Sequence, residues 1–254
     1  MKTISRRDGL KRIGVAVASG LLAGAWRPVL GFAAEAETQP KPTAAEAATM
    51  AEIARQTMEK HHAPGLSVAV ARHGQMVYQQ GFGYADKTTG EPVTSTSLFR
   101  IASISKPITA TAIFSLIEQG RLGLNDLIFG AEGILEYMNV TRMDSHSGWI
   151  ATPGDLVQFA RHVDGFTTTP NILAADTIKT MTTATVPNPN YAFGWCINRV
   201  PNWWHSGSLP GTLSIMVRTA SGLCWAAITN TRVEGLDLDA MMWQMVKTVP
   251  AWRA

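Results

Sequence analysis

The chain has 254 residues, 46% of them hydrophobic and 16% charged, a balance normal for a globular core and for one sizeable domain. Its formal net charge is only +3, and part of that excess sits in Lys2, Arg6, Arg7, Lys11 and Arg12. Nothing in this balance indicates nucleic-acid binding.

Residues 1–33 read as an export signal. Ser5-Arg6-Arg7-Asp8-Gly9-Leu10-Lys11 is a twin-arginine pattern, Ile13 to Trp26 is an apolar run, and Gly31-Phe32-Ala33 offers a small-residue cleavage site. The alternative is a membrane anchor, but the run falls short of the ~20 apolar residues a spanning helix needs. Cleavage near Ala33 is expected, leaving a periplasmic or secreted protein without a stable membrane anchor. Residues 34–43 are polar and proline-containing, and they read as a disordered linker ahead of one domain over 44–254.

Ala44 to His61 is predicted helical, with Met50, Ile53, Ala54 and Met58 on one face, and Pro64-Gly65 ends it. Leu66–Arg72 and Gln75–Gly81 flank His73-Gly74 as a β-hairpin. A loop over 83–97 leads into LFRIASISKPITATAIFSLIEQ, residues 98–119. There Ile108, Ala112, Ile113, Leu116 and Ile117 recur at helical intervals, and Gly120 or Gly123 closes the helix. Beyond Asp126 the chain reads as irregular. A second helix is predicted from Thr152-Pro153-Gly154-Asp155, with Thr152 as cap and Leu156, Val157, Phe159, Ala160 and Val163 as its apolar face. A short helix over 174–182 follows.

The last third reads as strands over 191–200, 212–218 and 223–230, then a helix over 238–249 whose Met241, Met242 and Met245 fill the core. The expected class is α+β, an antiparallel sheet built from both chain ends and flanked by helices. Cys196 and Cys224 are the two cysteines, and their spacing leaves both a disulfide and two buried thiols open.

Ser103 and Lys106 lie three residues apart at the start of the helix, so their side chains can meet. A helix mouth stabilises a developing oxyanion, and a lysine desolvated enough to lose its charge can take a hydroxyl proton. The plain alternative is an N-capping serine beside a solvated lysine. A second stretch, Trp204-His205-Ser206-Gly207-Ser208-Leu209-Pro210-Gly211, precedes the strand at Thr212. Its glycine would let backbone approach a substrate carbonyl, with His205 as a neighbouring donor or as an ordinary strand-edge residue. No spacing suits a metal, and no cofactor motif is present in the sequence.

Phe99-Arg100-Ile101-Ala102-Ser103-Ile104-Ser105-Lys106-Pro107 and the His205 stretch together resemble the serine β-lactamase-related superfamily, in its class C-like branch of esterases, D-aminopeptidases and penicillin-binding enzymes. Residues 148–156 and Phe193-Gly194-Trp195 extend the resemblance. It implies that Ser103 is the acyl-accepting nucleophile and Lys106 its proton partner. It implies also that His205-Ser206-Gly207 is the substrate-side strand motif and that the Ser103 and Ser208 amides form the oxyanion hole. The reaction implied is hydrolysis of a small ester, amide or β-lactam without cofactor or metal.

Family members also carry a Tyr-x-Asn motif inside a helical domain, and here the region around 127–148 is far too short for that domain. Tyr137-Met138-Asn139 spells the motif, either as its replacement or as a plain loop. The resemblance therefore allows two outcomes, an active exported serine hydrolase or a catalytically impaired relative that still binds cell-wall peptide or penicillin.

Overall fold

A computed structural model describes residues 38–126 and 147–252. Helix α1, Ala44–Lys60, opens on a capping box in which Thr43 and Glu46 exchange side-chain and backbone bonds. Its apolar stripe buries Met50, Ala51 and Ala54. The residues before it are held in place: the Pro40 carbonyl accepts from Trp252 Nε1 at 2.9 Å, and Gln39 bonds both Arg72 and Gln75. The part of the expected disordered linker that is described is thus tied to the body of the fold by bonds its composition did not foretell.

Strand β1, Gly65–Arg72, pairs antiparallel with β2, Gln75–Asp86, which runs past the expected end at Gly81 to meet the two-residue β3, Glu91–Pro92. On its other side β1 pairs with β9, Leu223–Thr229, then come β8, Thr212–Arg218, β7, Trp203–Leu209, and β6, Cys196–Ile197. The seven-stranded order is β3-β2-β1-β9-β8-β7-β6, a sheet made from both chain ends. Central β1 and β9 are nearly continuous apolar runs because both of their faces are covered. A separate pair joins β4, Phe99–Arg100, to β5, Ile150–Ala151.

Two differences from the sequence reading matter for the site. The strand expected over 191–200 shrinks to Cys196–Ile197, and the long strand is Trp203–Leu209. Asn198 ends the earlier run, its Oδ1 accepting from Val200 and Asn202 amides at 3.1 and 3.0 Å in a local turn. The second difference concerns helix α2, Ser105–Glu118, which follows a 3-10 turn over Ala102–Ile104. It buries Ser105, Pro107, Thr111 and Phe114, while Ala112 and Ile113 are exposed and Ile108, Leu116 and Ile117 only half-buried. Hydroxyls line the buried face because each has a local acceptor, Ser105 on Ala102 O at 2.8 Å and Thr111 on Pro107 O at 2.9 Å.

The sheet separates two cores. One lies against α1 and α5, Leu238–Lys247, and gathers Val68, Val70, Trp225, Met242 and Met245. The other gathers Ile101, Ile104, Phe114, Leu156, Val157 and Trp195 against α3, Pro153–Arg161, and α4, Ala175–Met181. Thr152 and Asp155 form the expected cap of α3, with Pro153 in its first turn. The cysteines are both free. Cys196 sits on β6 and Cys224 on β9, three strand spacings or roughly 14 Å apart, about twice the reach of a disulfide.

At the end of β8, Arg218 is buried between the rings of Phe166 and Trp203, each 4.1 Å from its guanidinium carbon. It donates twice to the Asp164 carbonyl, at 3.1 and 2.6 Å, and once to that of Pro201 at 3.2 Å. Burial pulls its pKa down to about 10, so it stays charged at neutral pH. Arg218→Met keeps the stem and orphans both carbonyls. Its expected cost is roughly 3 kcal/mol, read as a lower urea midpoint at unchanged slope.

Candidate active site

The approach to Ser103 is fixed before the helix begins. The Ile101 amide donates to Trp149 O at 3.0 Å, beside the β4–β5 pair. From β8, Thr212 Oγ1 donates to Arg100 O and Ser214 Oγ to Ile101 O, both at 2.9 Å, and the Arg100 guanidinium donates to the Pro210 carbonyl. The next residue, Ala102, is fully buried with φ of 50°. A left-handed alanine costs on the order of 1 kcal/mol and persists only where its surroundings impose it. Here those surroundings are the β8 hydroxyls on one side and the Ser105 hydroxyl on the Ala102 carbonyl on the other. The result turns Ser103 out of the core at the mouth of α2, half-buried.

Lys106 Nζ donates to Ser103 Oγ at 2.7 Å. Burial disfavours the ammonium and moves the Lys106 pKa below its ordinary value of 10.5. The pair therefore has the contact and the electrostatic bias that proton transfer from serine to lysine requires.

Gly207 faces this turn from β7. A Cβ there would stand 2.3 Å from both Ile101 O and Ser214 Oγ, and 3.1 Å from the Ala102 methyl. The glycine is required by the closeness of the 3-10 turn to the strand. Pro210–Gly211 closes the β7–β8 hairpin at the Leu209–Thr212 pair, so alternation turns the backbone groups of Gly207 and His205 to β8. Those of Ser208 and Ser206 turn to the outer edge, where β6 covers only Trp203 and Trp204. The Ser208 amide thus points out along the edge nearest Ser103.

The remaining sequence-derived residues separate. His205 is 8% exposed, with Nδ1 2.6 Å from Ser206 O and Nε2 3.2 Å from the Tyr191 hydroxyl. The carbonyl requires the proton on Nδ1, so Nε2 accepts from Tyr191. Both ring nitrogens are engaged within the protein, and His205 positions the strand instead of aiming a donor at Ser103. Its pKa is lowered by burial, opposed by the Ser206 carbonyl and helped by the charge of Lys106. The Ser206 side chain turns to the opposite face of the sheet, into a cavity lined by Trp204, Leu213 and Leu236. Tyr137 lies outside the described residues.

Tyr191 was not singled out from sequence. Its signal was its place two residues before Phe193-Gly194-Trp195, where Gly194, at φ of 80°, lets the loop lie on α2: a Cβ there would be 3.0 Å from the Lys106 carbonyl. Among the described residues no three His, Cys, Asp or Glu side chains are grouped to hold a metal ion.

Residues 50–142 match the Beta-lactamase family model. The chain is 37% identical over 79 residues to an esterase of Burkholderia gladioli, spanning 31% of this chain and 20% of that protein. It is 28% identical over 184 residues to a penicillin-binding protein of Bacillus subtilis, spanning 69% of this chain and 36% of that one. The chain thus spans only about a fifth to a third of the length of these curated relatives. Among solved structures, a β-lactamase/D-alanine carboxypeptidase from Pseudomonas syringae superposes with a TM-score of 0.63 at 14% identity, covering 80% of this chain and 99% of that one. At that identity the likeness is one of fold.

Two outcomes follow from this geometry. Gly207→Ala forces backbone and Ser214 apart, and is expected to cost about 1–3 kcal/mol in denaturant melts and to displace Ser103 from Lys106. Because the His205 pKa is lower folded than its ordinary 6.5, the unfolded chain takes up the proton first as pH falls. The contribution of His205 to stability is complete above pH 6.5 and declines as pH drops from there through the depressed folded value. A melt series across that window tests it, and His205→Gln should flatten it.

Proposed function

The chain belongs to the serine β-lactamase-related superfamily, and on that premise we propose that it is a hydrolase working through an acyl-enzyme on Ser103 with small ester, amide or β-lactam substrates. The observation that carries the reading is the 2.7 Å bond from Lys106 Nζ to Ser103 Oγ at a helix mouth, with the lysine biased towards its neutral form. In the acylation step Oγ attacks the carbonyl carbon while its proton passes to the neutral Lys106 amine. The tetrahedral oxyanion is held by the amides of Ser103 and Ser208, and its collapse expels the alcohol or amine, which takes the proton from Lys106. Water then attacks the Ser103 ester, giving its proton to Lys106, and Oγ leaves with that proton to regenerate the serine. No metal or cofactor enters either step.

Export through the twin-arginine route, with removal of the leader near Ala33, is part of the same proposal and rests on the pattern in residues 1–33. No helix among the described residues is long and apolar enough to cross a membrane. The mass of the protein recovered from a periplasmic fraction tests the processing directly.

The hydrolase reading is tested by intact-mass spectrometry after exposure to a fluorophosphonate and, separately, a fluorescent penicillin. One adduct per chain is expected, absent in Ser103→Ala and formed at least roughly 100-fold more slowly in Lys106→Met. A folded chain that takes neither reagent is a catalytically impaired relative. The rate of adduct formation should rise with pH as Lys106 loses its proton, and level off below pH 10.5, where an ordinary lysine would still be charged. A profile still climbing past that value would contradict the role given to burial.

A further inference from the structure

Helix α2 carries a stripe only partly taken up by the core: Ala110 and Ile117 pack against it, while Ile113 stands exposed. Lys106, Ala110, Ile113 and Ile117 succeed one another at helical spacing along about 16 Å of helix. Together with Leu124 and Phe193 they line a groove of about 470 Å3. Ile113 is 39% exposed, Leu124 55% and Phe193 39%. Single exposed apolar side chains are ordinary, but several converging on one trough mark a binding surface. The floor is firm: Phe114 meets Phe193 edge to face at 5.2 Å, and Phe114 is itself buried.

The trough reaches one member of the pair, Lys106. Lys106 both bonds the Ser103 hydroxyl and lines the groove, and Tyr191, which fixes His205 of the neighbouring strand, lines it as well. Lys106 is the residue the groove shares with that pair, so a group held at Ser103 has the apolar channel one side chain away. Along the helix the lining runs from the Lys106 cation past Thr109 to mainly apolar side chains, with the Asp126 carboxylate beside Leu124. That suits a substrate whose polar, reacting end sits at Ser103 and whose tail is hydrocarbon.

We propose that the α2 groove is the acyl-side subsite of the enzyme and that its substrates are esters or amides of straight, apolar acyl chains. This rests on the hydrolase reading above, and it narrows the substrate class within that reading. Each methylene entering the groove should improve transition-state binding roughly four-fold until the groove is filled.

Two measurements on the full mature chain separate this proposal from its premise. The first is calorimetric binding of the unreactive carboxylates acetate, hexanoate and octanoate. Octanoate is expected to bind at least about ten-fold tighter than acetate, and Ile113→Asp to abolish the difference by setting a charge in the trough. Val233→Asp, a similarly exposed position on the loop before α5, should leave it intact. The second is the rate of Ser103 acylation by nitrophenyl esters of the same series, expected to rise with chain length in the wild type and to lose that rise in Ile113→Asp.

Acylation of Ser103 at a rate independent of chain length, with no preference for octanoate, overturns the subsite and leaves the hydrolase standing. Octanoate binding without any acylation overturns the hydrolase reading, and with it the groove as a substrate site. A concentration-dependent dimer that Ile113→Asp dissociates assigns the trough to a second copy of the chain and also overturns the proposal.

Discussion

Two hydroxyls on strand β8 govern the rest of the site. Thr212 and Ser214 donate to the carbonyls of Arg100 and Ile101, and those bonds hold the entering chain against the sheet at the point where it must turn into α2. Without them only the local Ser105 bond would hold Ala102 at positive φ, and the turn that carries Ser103 would lose its tie to the sheet. Gly207 completes the constraint from the other side by having no side chain where the turn comes closest. The Ser103–Lys106 pair is thus positioned by its neighbours' backbone more than by its own helix.

That dependence explains the character of the sheet. β1 and β9 are almost wholly apolar because they separate two cores, whereas the start of β8 is polar and buried: Thr212 and Ser214 are 2% and 1% exposed. Buried hydroxyls are tolerated where each has an acceptor, and here the acceptors are the carbonyls of the segment they position. The same economy appears in α2, whose inward face carries Ser105 and Thr111 and whose outward face carries isoleucines. A helix that buries two hydroxyls beside Pro107 and Phe114 while leaving Ile113 exposed has a second surface to serve.

Much of this was legible in the sequence. The cap at Thr152, the hairpin around His73-Gly74 and the apolar central strands follow from local chemistry, and Ser-x-x-Lys at a helix start located the Ser103–Lys106 contact. What was not legible depends on distant partners. The extent of the strand over 203–209 was not legible, because its glycine answers to a turn more than a hundred residues earlier in the chain. The apolar period of α2 was correct as a period, but periodicity reports that a stripe exists without naming what lies against it. Tyr191 showed only its place before Phe193-Gly194-Trp195, because its partner, His205, comes to it through the β6–β7 turn.

The β8 clamp also has a bearing on when the site comes into being. Its bonds join residues 112 and 113 positions apart, so the serine helix is synthesised long before the strand that sets its geometry. Until β8 docks, Ala102 is free to relax into an ordinary right-handed conformation and the serine has no fixed relation to the edge of β7. Contacts of such long range form late, after the loop between them has closed. Ser103 therefore stays without its fixed surroundings until the last third of the chain has joined the sheet.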